Sequence, residues 1–68
     1  MSKYKFVVGI SYGKGKEGAT FERIVHAESP SGALSSHARF VMADAVTFSL
    51  AGEKVPVRFE LAYEELPE

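Results

Sequence analysis

The chain has 68 residues, no Cys, 46% apolar residues and a formal net charge of −1. This length suits one domain spanning residues 1–68, and the lack of Cys excludes disulfides and Cys-based zinc sites as sources of stability. The longest apolar run near the start, residues 6–10, is too short for a membrane span of about 20 residues or for a signal-peptide core. We therefore expect a cytoplasmic protein with no membrane contact.

Two strands are predicted before residue 29, because apolar and polar residues alternate there with the period of a half-buried strand. The first runs over residues 4–12 and the second over residues 19–28. Between them, residues 13–18 contain three Gly and three charged side chains, which is typical of a mobile loop. A symmetric hairpin around this loop brings the apolar sides of both strands together.

The same symmetric register places Val7 opposite Ile24 and Lys5 opposite His26, on the side of the sheet facing away from the core. An exposed apolar pair of this kind suggests a partner surface, although cross-strand apolar pairs also stabilise sheets by themselves. Arg23 falls on the apolar side in this register. Either a bulge or an arginine stem lying along the edge of the core would accommodate it.

A helix is predicted to begin after Ser29, since Ser is a favoured N-cap and Pro30 fits the first helical position. We expect it to end near Ala43 or Asp44. Its apolar stripe is made of residues at helical spacing, namely Leu34, His37, Ala38, Val41, Met42 and Ala45.

Two further strands are predicted over residues 46–50 and 55–63, joined by a type II′ turn at residues 51–54. The predicted fold class is therefore α+β, with the order ββαββ: a four-stranded, mainly antiparallel sheet with one helix packed on one face. The order of the strands within the sheet is not readable from the sequence.

No residue pattern points to catalysis. His26 and His37 belong to different elements and share no ligand spacing, so we expect no metal site. Ser36 and His37 are adjacent on the predicted helix, where their side chains diverge. We expect no catalytic residues, no cofactor and no enzymatic activity.

Two other features are candidate contacts. Lys14 and Lys16 lie in the glycine-rich loop, which lacks phosphate-loop spacing and leads into a strand. This loop is either a solvated turn or a contact with a nucleic-acid backbone or an acidic protein surface. Phe40 lies off the apolar stripe beside Arg39, where it either tucks against the fold or acts as an exposed anchor. Charge is also uneven, with a basic excess over residues 1–25 and an acidic excess over residues 51–68.

These observations predict a small protein-binding module, a regulator or inhibitor of a larger protein or nucleoprotein machine of the phage or mobile-element type. Its partner would be a protein target, for example a nucleic-acid-processing complex, and a homodimer through an edge strand or the Val7–Ile24 face is a second form of this prediction. The alternative is a nucleic-acid-binding protein that uses the basic N-terminal hairpin, which the sequence pI of about 6.1 disfavours. The predicted contacts are Lys5, Val7, Lys14, Lys16, Arg23, Ile24, His26, Arg39 and Phe40.

Overall fold

Three antiparallel strands and one helix form the part of the chain that the computed structural model describes, residues 1–67. In chain order these are β1 (Ser2–Ser11), β2 (Ala19–Ala27), α1 (Pro30–Ala51) and β3 (Arg58–Leu66). The strand order is β2-β1-β3. The α+β class with one helix is confirmed. The predicted four-stranded ββαββ order is wrong, because these residues form three strands in the order ββαβ.

The central strand β1 supplies more of the buried core residues than any other element. Its side chains alternate between buried and half-buried, and Tyr4, Phe6, Val8 and Ile10 all point toward the helix. A central strand has neighbours on both edges, so its apolar side receives cover from β2, from β3 and from α1. This explains why a domain of this size has a core although it has no Cys.

The β1–β2 register differs from the prediction by two residues. Ile10, and not Tyr12, lies opposite Ala19, so Val7 faces Glu22 and Ile24 faces Lys5. The predicted Val7–Ile24 pair is therefore wrong. A shift of two residues leaves every side chain on its predicted side, since the side-chain period of a strand is two.

The loop explains the shift. Gly13 and Gly15 have positive φ angles of 121° and 78°, a region where glycine is favoured. A Cβ atom on Gly18 would lie 2.6 Å from the carbonyl oxygen of Ile10. These three glycines let the chain make a longer loop than a symmetric hairpin needs. Tyr12 thereby leaves the sheet and its hydroxyl meets Oγ of Ser49 at 2.9 Å.

Arg23 lies on the helix side of the sheet, as the sequence predicted, but opposite Phe6. The register runs on without a bulge from Ser2 to Ile10. The guanidinium of Arg23 lies 2.6 Å from the carboxylate of Asp44 on α1. The second of the two predicted solutions applies, because the arginine stem passes along the edge of the core and its charge ends at the surface.

The start of α1 is as predicted. Ser29 has extended backbone angles, and its Oγ accepts a hydrogen bond from the backbone N–H of Gly32 at 3.0 Å. Pro30 occupies the first helical position, where no intrahelical N–H bond is needed.

The helix continues to Ala51, so the strand predicted over residues 46–50 is wrong. Val, Thr and Phe favour strands only weakly, and tertiary contacts override that preference. Ser49 is buried and its hydroxyl donates to the carbonyl oxygen of Ala45 at 3.0 Å, while Phe48 meets Phe21 of β2 with ring centroids 5.7 Å apart. As a strand, this segment would lose both contacts.

The type II′ turn predicted at residues 51–54 is also wrong, because this segment ends the helix. The N–H groups of Gly52, Glu53 and Lys54 bond back to carbonyl oxygens of the last helical turn. Glu53 has a φ of 60°, the left-handed conformation that often closes a helix. Residues 54–57 then lead to β3, which begins three residues later than predicted.

The buried side of α1 is narrow and carries small side chains, which allows close packing on the sheet. Ala33, Val41, Ala45 and Ser49 are its buried residues. The helix packs on β2 and β1 and leaves the helix side of β3 largely open. Within residues 1–67, no helix has the length and apolarity needed to cross a membrane.

Candidate partner-binding surface

The predicted contact residues lie on separate parts of the structure. Lys5, Val7, Ile24 and His26 share the side of the sheet that faces away from α1, called here the open face. Lys14 and Lys16 lie in the loop between β1 and β2, and Arg23 lies on the helix side. Arg39 and Phe40 are on the outer surface of α1. The predicted contacts therefore lie in four separate places, and only the first four residues share one face of the sheet.

The open face is electrostatically balanced. Nζ of Lys5 lies 3.5 Å from a carboxylate oxygen of Glu22 on β2 and 3.8 Å from one of Glu64 on β3. Val7 is flanked by Glu22 and Ala62 and is half-buried. The Lys5 charge is thus neutralised within the sheet, and the apolar surface around Val7 is small.

The outer surface of α1 presents one isolated aromatic side chain. Phe40 is 60% exposed, and the guanidinium of the adjacent Arg39 lies 5.5 Å from its ring centroid. The residues three and four positions away on the helix are small or polar, namely Ser36, His37, Ala43 and Asp44, so no larger apolar patch surrounds this ring.

A cleft of about 490 Å³ lies at the end of the molecule that holds the loop. Its lining includes two lysines and two glutamates around the Tyr12 ring, and Nζ of Lys54 lies 5.2 Å from that ring centroid. The cleft has opposite charges in equal number. Across residues 1–67, no group of three or more His, Asp or Glu side chains is placed to hold a metal ion.

β3 carries an alternating run of apolar side chains. Phe59, Leu61 and Tyr63, called here the β3 strip, alternate along this strand on the helix side of the sheet. They lie opposite Ile10, Val8 and Phe6 of β1. Leu61 is 38% exposed and Tyr63 is 41% exposed, although the Tyr63 ring stacks on Phe6 with centroids 5.8 Å apart. The strip covers β1 and is itself only partly covered.

Helix width explains the opening above the β3 strip. A helix is about 10 Å wide with its side chains, and neighbouring strands are about 4.8 Å apart, so one helix covers roughly two strands. Asp44 and Phe48 tie α1 to the β2 side through Arg23 and Phe21.

By helical geometry, Met42 and Val46 lie on the opposite flank of α1, toward β3. Both are half-buried. Because α1 leaves the helix side of β3 largely open, the space between this flank and the β3 strip is bordered by apolar side chains and is called here the channel.

The two edge strands differ in how they are protected. On the helix side of β2, Arg23 is an inward-pointing charge in the middle of the strand, a feature that blocks edge-to-edge pairing. On the helix side of β3, Phe59, Leu61 and Tyr63 form an unbroken apolar run, and the first charge after them is Glu65. Among the described residues, no strand pairs with the outer edge of β3.

Comparison of the chain with protein-family models, with curated proteins and with solved structures gave no match.

Sequence reasoning identified the apolar alternation of residues 59–63 but assigned it to the covered core. The missed signal is geometric, because three strands with apolar helix sides exceed what one helix covers. The predicted contacts were instead chosen from the outward face of the first hairpin, from the basic loop, and from residues that departed from a pattern, such as Arg23 and Phe40.

Proposed function

We propose that this protein is a non-enzymatic protein-binding module, a regulator or inhibitor of a larger protein, and that the β3 strip is its contact surface. The observation that carries the proposal is the incomplete cover of Phe59, Leu61 and Tyr63 on an edge strand with a free outer edge. Such a surface offers both main-chain hydrogen bonds and apolar contacts to an added segment. Aromatic side chains also dominate binding energies at protein interfaces.

Charge supports a protein partner over a nucleic acid. The outward side chains of β3 include Glu60 and Glu64, which repel phosphate groups, and Lys5 on the open face is already paired with carboxylates. Tyr4, Phe6 and Tyr12 are buried and therefore unable to stack on bases. The basic residues that remain for the nucleic-acid alternative are Lys3, Lys14, Lys16 and Arg39. A titration with single- and double-stranded oligonucleotides at low salt tests it, and tight, salt-sensitive binding would favour it.

Site-specific photocrosslinking tests the proposed surface. Benzoylphenylalanine replaces Tyr63 in one variant, Phe40 in a second and Ile24 in a third, which samples the β3 strip, the outer surface of α1 and the open face. We expect the Tyr63 variant to form adducts with a larger protein in the source cells, and the other two to form none. Adducts from Phe40 or Ile24 alone would overturn the assignment to β3, and no adducts from any of the three would overturn the binding function.

A further inference from the structure

We infer that β3 pairs with β3 of a second copy of this chain, antiparallel and about a two-fold axis through Leu61. The inference rests on the proposed function, because both assign the same strip, and it names one partner of that strip. The resulting sheet has six strands in the order β2-β1-β3-β3-β1-β2. Both helices lie on the same side of it.

The register of the β3–β3 pairing is determined by the side of the sheet that each β3 residue faces. Directly opposed residues in an antiparallel pair point to the same side of the sheet. With Leu61 on the axis, it faces its own copy, and Phe59 faces Tyr63 twice. Cross-strand aromatic pairs stabilise a sheet, so the helix side is apolar over the paired residues 58–64, and Glu65 lies beyond the start of the other copy's β3.

The open side of the same register is electrostatically complementary. Arg58, whose guanidinium lies 2.6 Å from a carboxylate oxygen of Glu60 on its own strand, faces Glu64 of the other copy twice, and Glu60 faces Ala62. Opposite charges that face each other across strands stabilise the pairing, and like charges destabilise it. One register therefore satisfies both sides of the strand.

Neighbouring registers fail on charge or on overlap. Centring on Ala62 places Glu60 opposite Glu64, and centring on Glu60 places that carboxylate opposite itself. Centring on Tyr63 sets Glu65 against Leu61. Centring on Phe59 pairs only residues 58–60 of the strand, because β3 begins at Arg58.

The β3–β3 pairing also leaves both β3 strips accessible on the helix side of the sheet. In a six-stranded sheet, the two helices lie about four strand spacings apart, or roughly 19 Å. Subtracting a helix diameter of about 10 Å leaves a channel roughly 9 Å wide. Its floor is the two β3 strips together, so a larger target would find there twice the apolar surface that one copy offers.

A charge-reversal mixture tests the pairing. In Arg58→Glu alone, both Arg–Glu pairs become Glu–Glu pairs, and in Glu64→Arg alone they become Arg–Arg pairs. We expect each variant to have a dimer dissociation constant weakened by about tenfold at low salt. Mixed in equal amounts they restore two Glu–Arg pairs, and we expect a heterodimer as stable as the wild-type dimer.

The separate variants are the control for the mixture. Any effect of a substitution on the folding of its own chain is the same in the separate and mixed samples, so only the pairing between chains differs. Native mass spectrometry measures the result, with dimers at twice the single-chain mass of 7.4 kDa. A wild-type protein that stays at the single-chain mass at every concentration would overturn the inference. So would a mixture that associates no better than its components.

The lack of native Cys permits a second test. Leu61→Cys places two thiols opposite each other on the axis, whereas Ile24→Cys places a thiol of similar exposure on the open face of β2. We expect mild oxidation to link Leu61→Cys chains at least tenfold faster than Ile24→Cys chains. Equal rates would contradict the register.

The proposed binding function and the proposed dimer are overturned by different results. Tyr63 adducts with a larger protein, combined with slow linking of Leu61→Cys, would overturn the dimer and leave the binding function supported. Fast linking of Leu61→Cys, combined with Tyr63 adducts to the same chain only, would support the dimer and overturn a larger target at this surface.

Discussion

The two outer strands flank the same central strand, yet they lie in different surroundings. β2 is covered by α1, and its one inward charge, Arg23, is paired with Asp44. β3 carries the more continuous apolar run but receives less cover from the helix. Hydrophobic pattern alone therefore does not determine burial in a domain this small, because one helix is not wide enough to cover three strands.

The largest expected difference between the two regions is in the cost of removing an aromatic or aliphatic side chain. Phe6 is fully buried, so we expect Phe6→Ala to lower the free energy of unfolding by about 3–5 kcal/mol, which leaves so small a domain mostly unfolded. Leu61→Ala removes a partly exposed side chain, and we expect a loss of about 1 kcal/mol. Urea unfolding followed by circular dichroism, at low protein concentration, measures both. Equal costs would show that β3 is as well covered as β1.

A smaller difference is expected for side chains added to the two flanks of α1. Ala45 is fully buried against the sheet, so Ala45→Leu overpacks the interface and we expect a loss of about 1–3 kcal/mol. Val46 is next in sequence and turns toward the channel above β3, where Val46→Leu has room. We expect Val46→Leu to change the free energy of unfolding by less than about 0.5 kcal/mol. A large loss for Val46→Leu in thermal unfolding would mean that the channel is closed.

The smallest expected effects concern two tyrosines of the covered region. The Tyr12 hydroxyl is hydrogen-bonded to Ser49, and we expect Tyr12→Phe to cost about 0.5–1.5 kcal/mol. The Tyr4 hydroxyl is buried without a hydrogen-bond partner among the described residues. Because an unsatisfied buried hydroxyl is unfavourable, we expect Tyr4→Phe to leave stability unchanged or raise it. If Tyr4→Phe were the more damaging of the two in urea unfolding, the hydroxyl would have a partner.

Local patterns predicted those parts of the fold that depend on local chemistry. The alternation of residues 4–10, the Ser29 cap and Pro30 at the helix start are examples, because each depends on a few adjacent residues. The end of the helix was not predictable in this way. Residues 46–50 favour strand by propensity, and their helical state depends on Tyr12 and Phe21, which are distant in sequence.

The contacts that a residue makes also depend on parts of the chain that are distant in sequence. Arg23 was recognised as unusual from the pattern, but its partner Asp44 depends on where α1 lies. The β3 strip was not recognised, because its exposure is a property of the helix position and not of residues 59–63. A local sequence pattern determines which side a residue occupies, and the tertiary arrangement determines what covers that side.

The position of β1 between β2 and β3 also has a consequence for folding during synthesis. β1 and β2 are close in sequence, so their hairpin closes a short loop and forms early. The second edge of β1 pairs with β3. This pairing starts at Ser11 and Arg58, so it begins only after residue 58 has been synthesised. Until β3 has been synthesised, this edge of β1 therefore stays unpaired in the growing chain. Neighbouring nascent chains on one message would present identical free edges to one another during that interval.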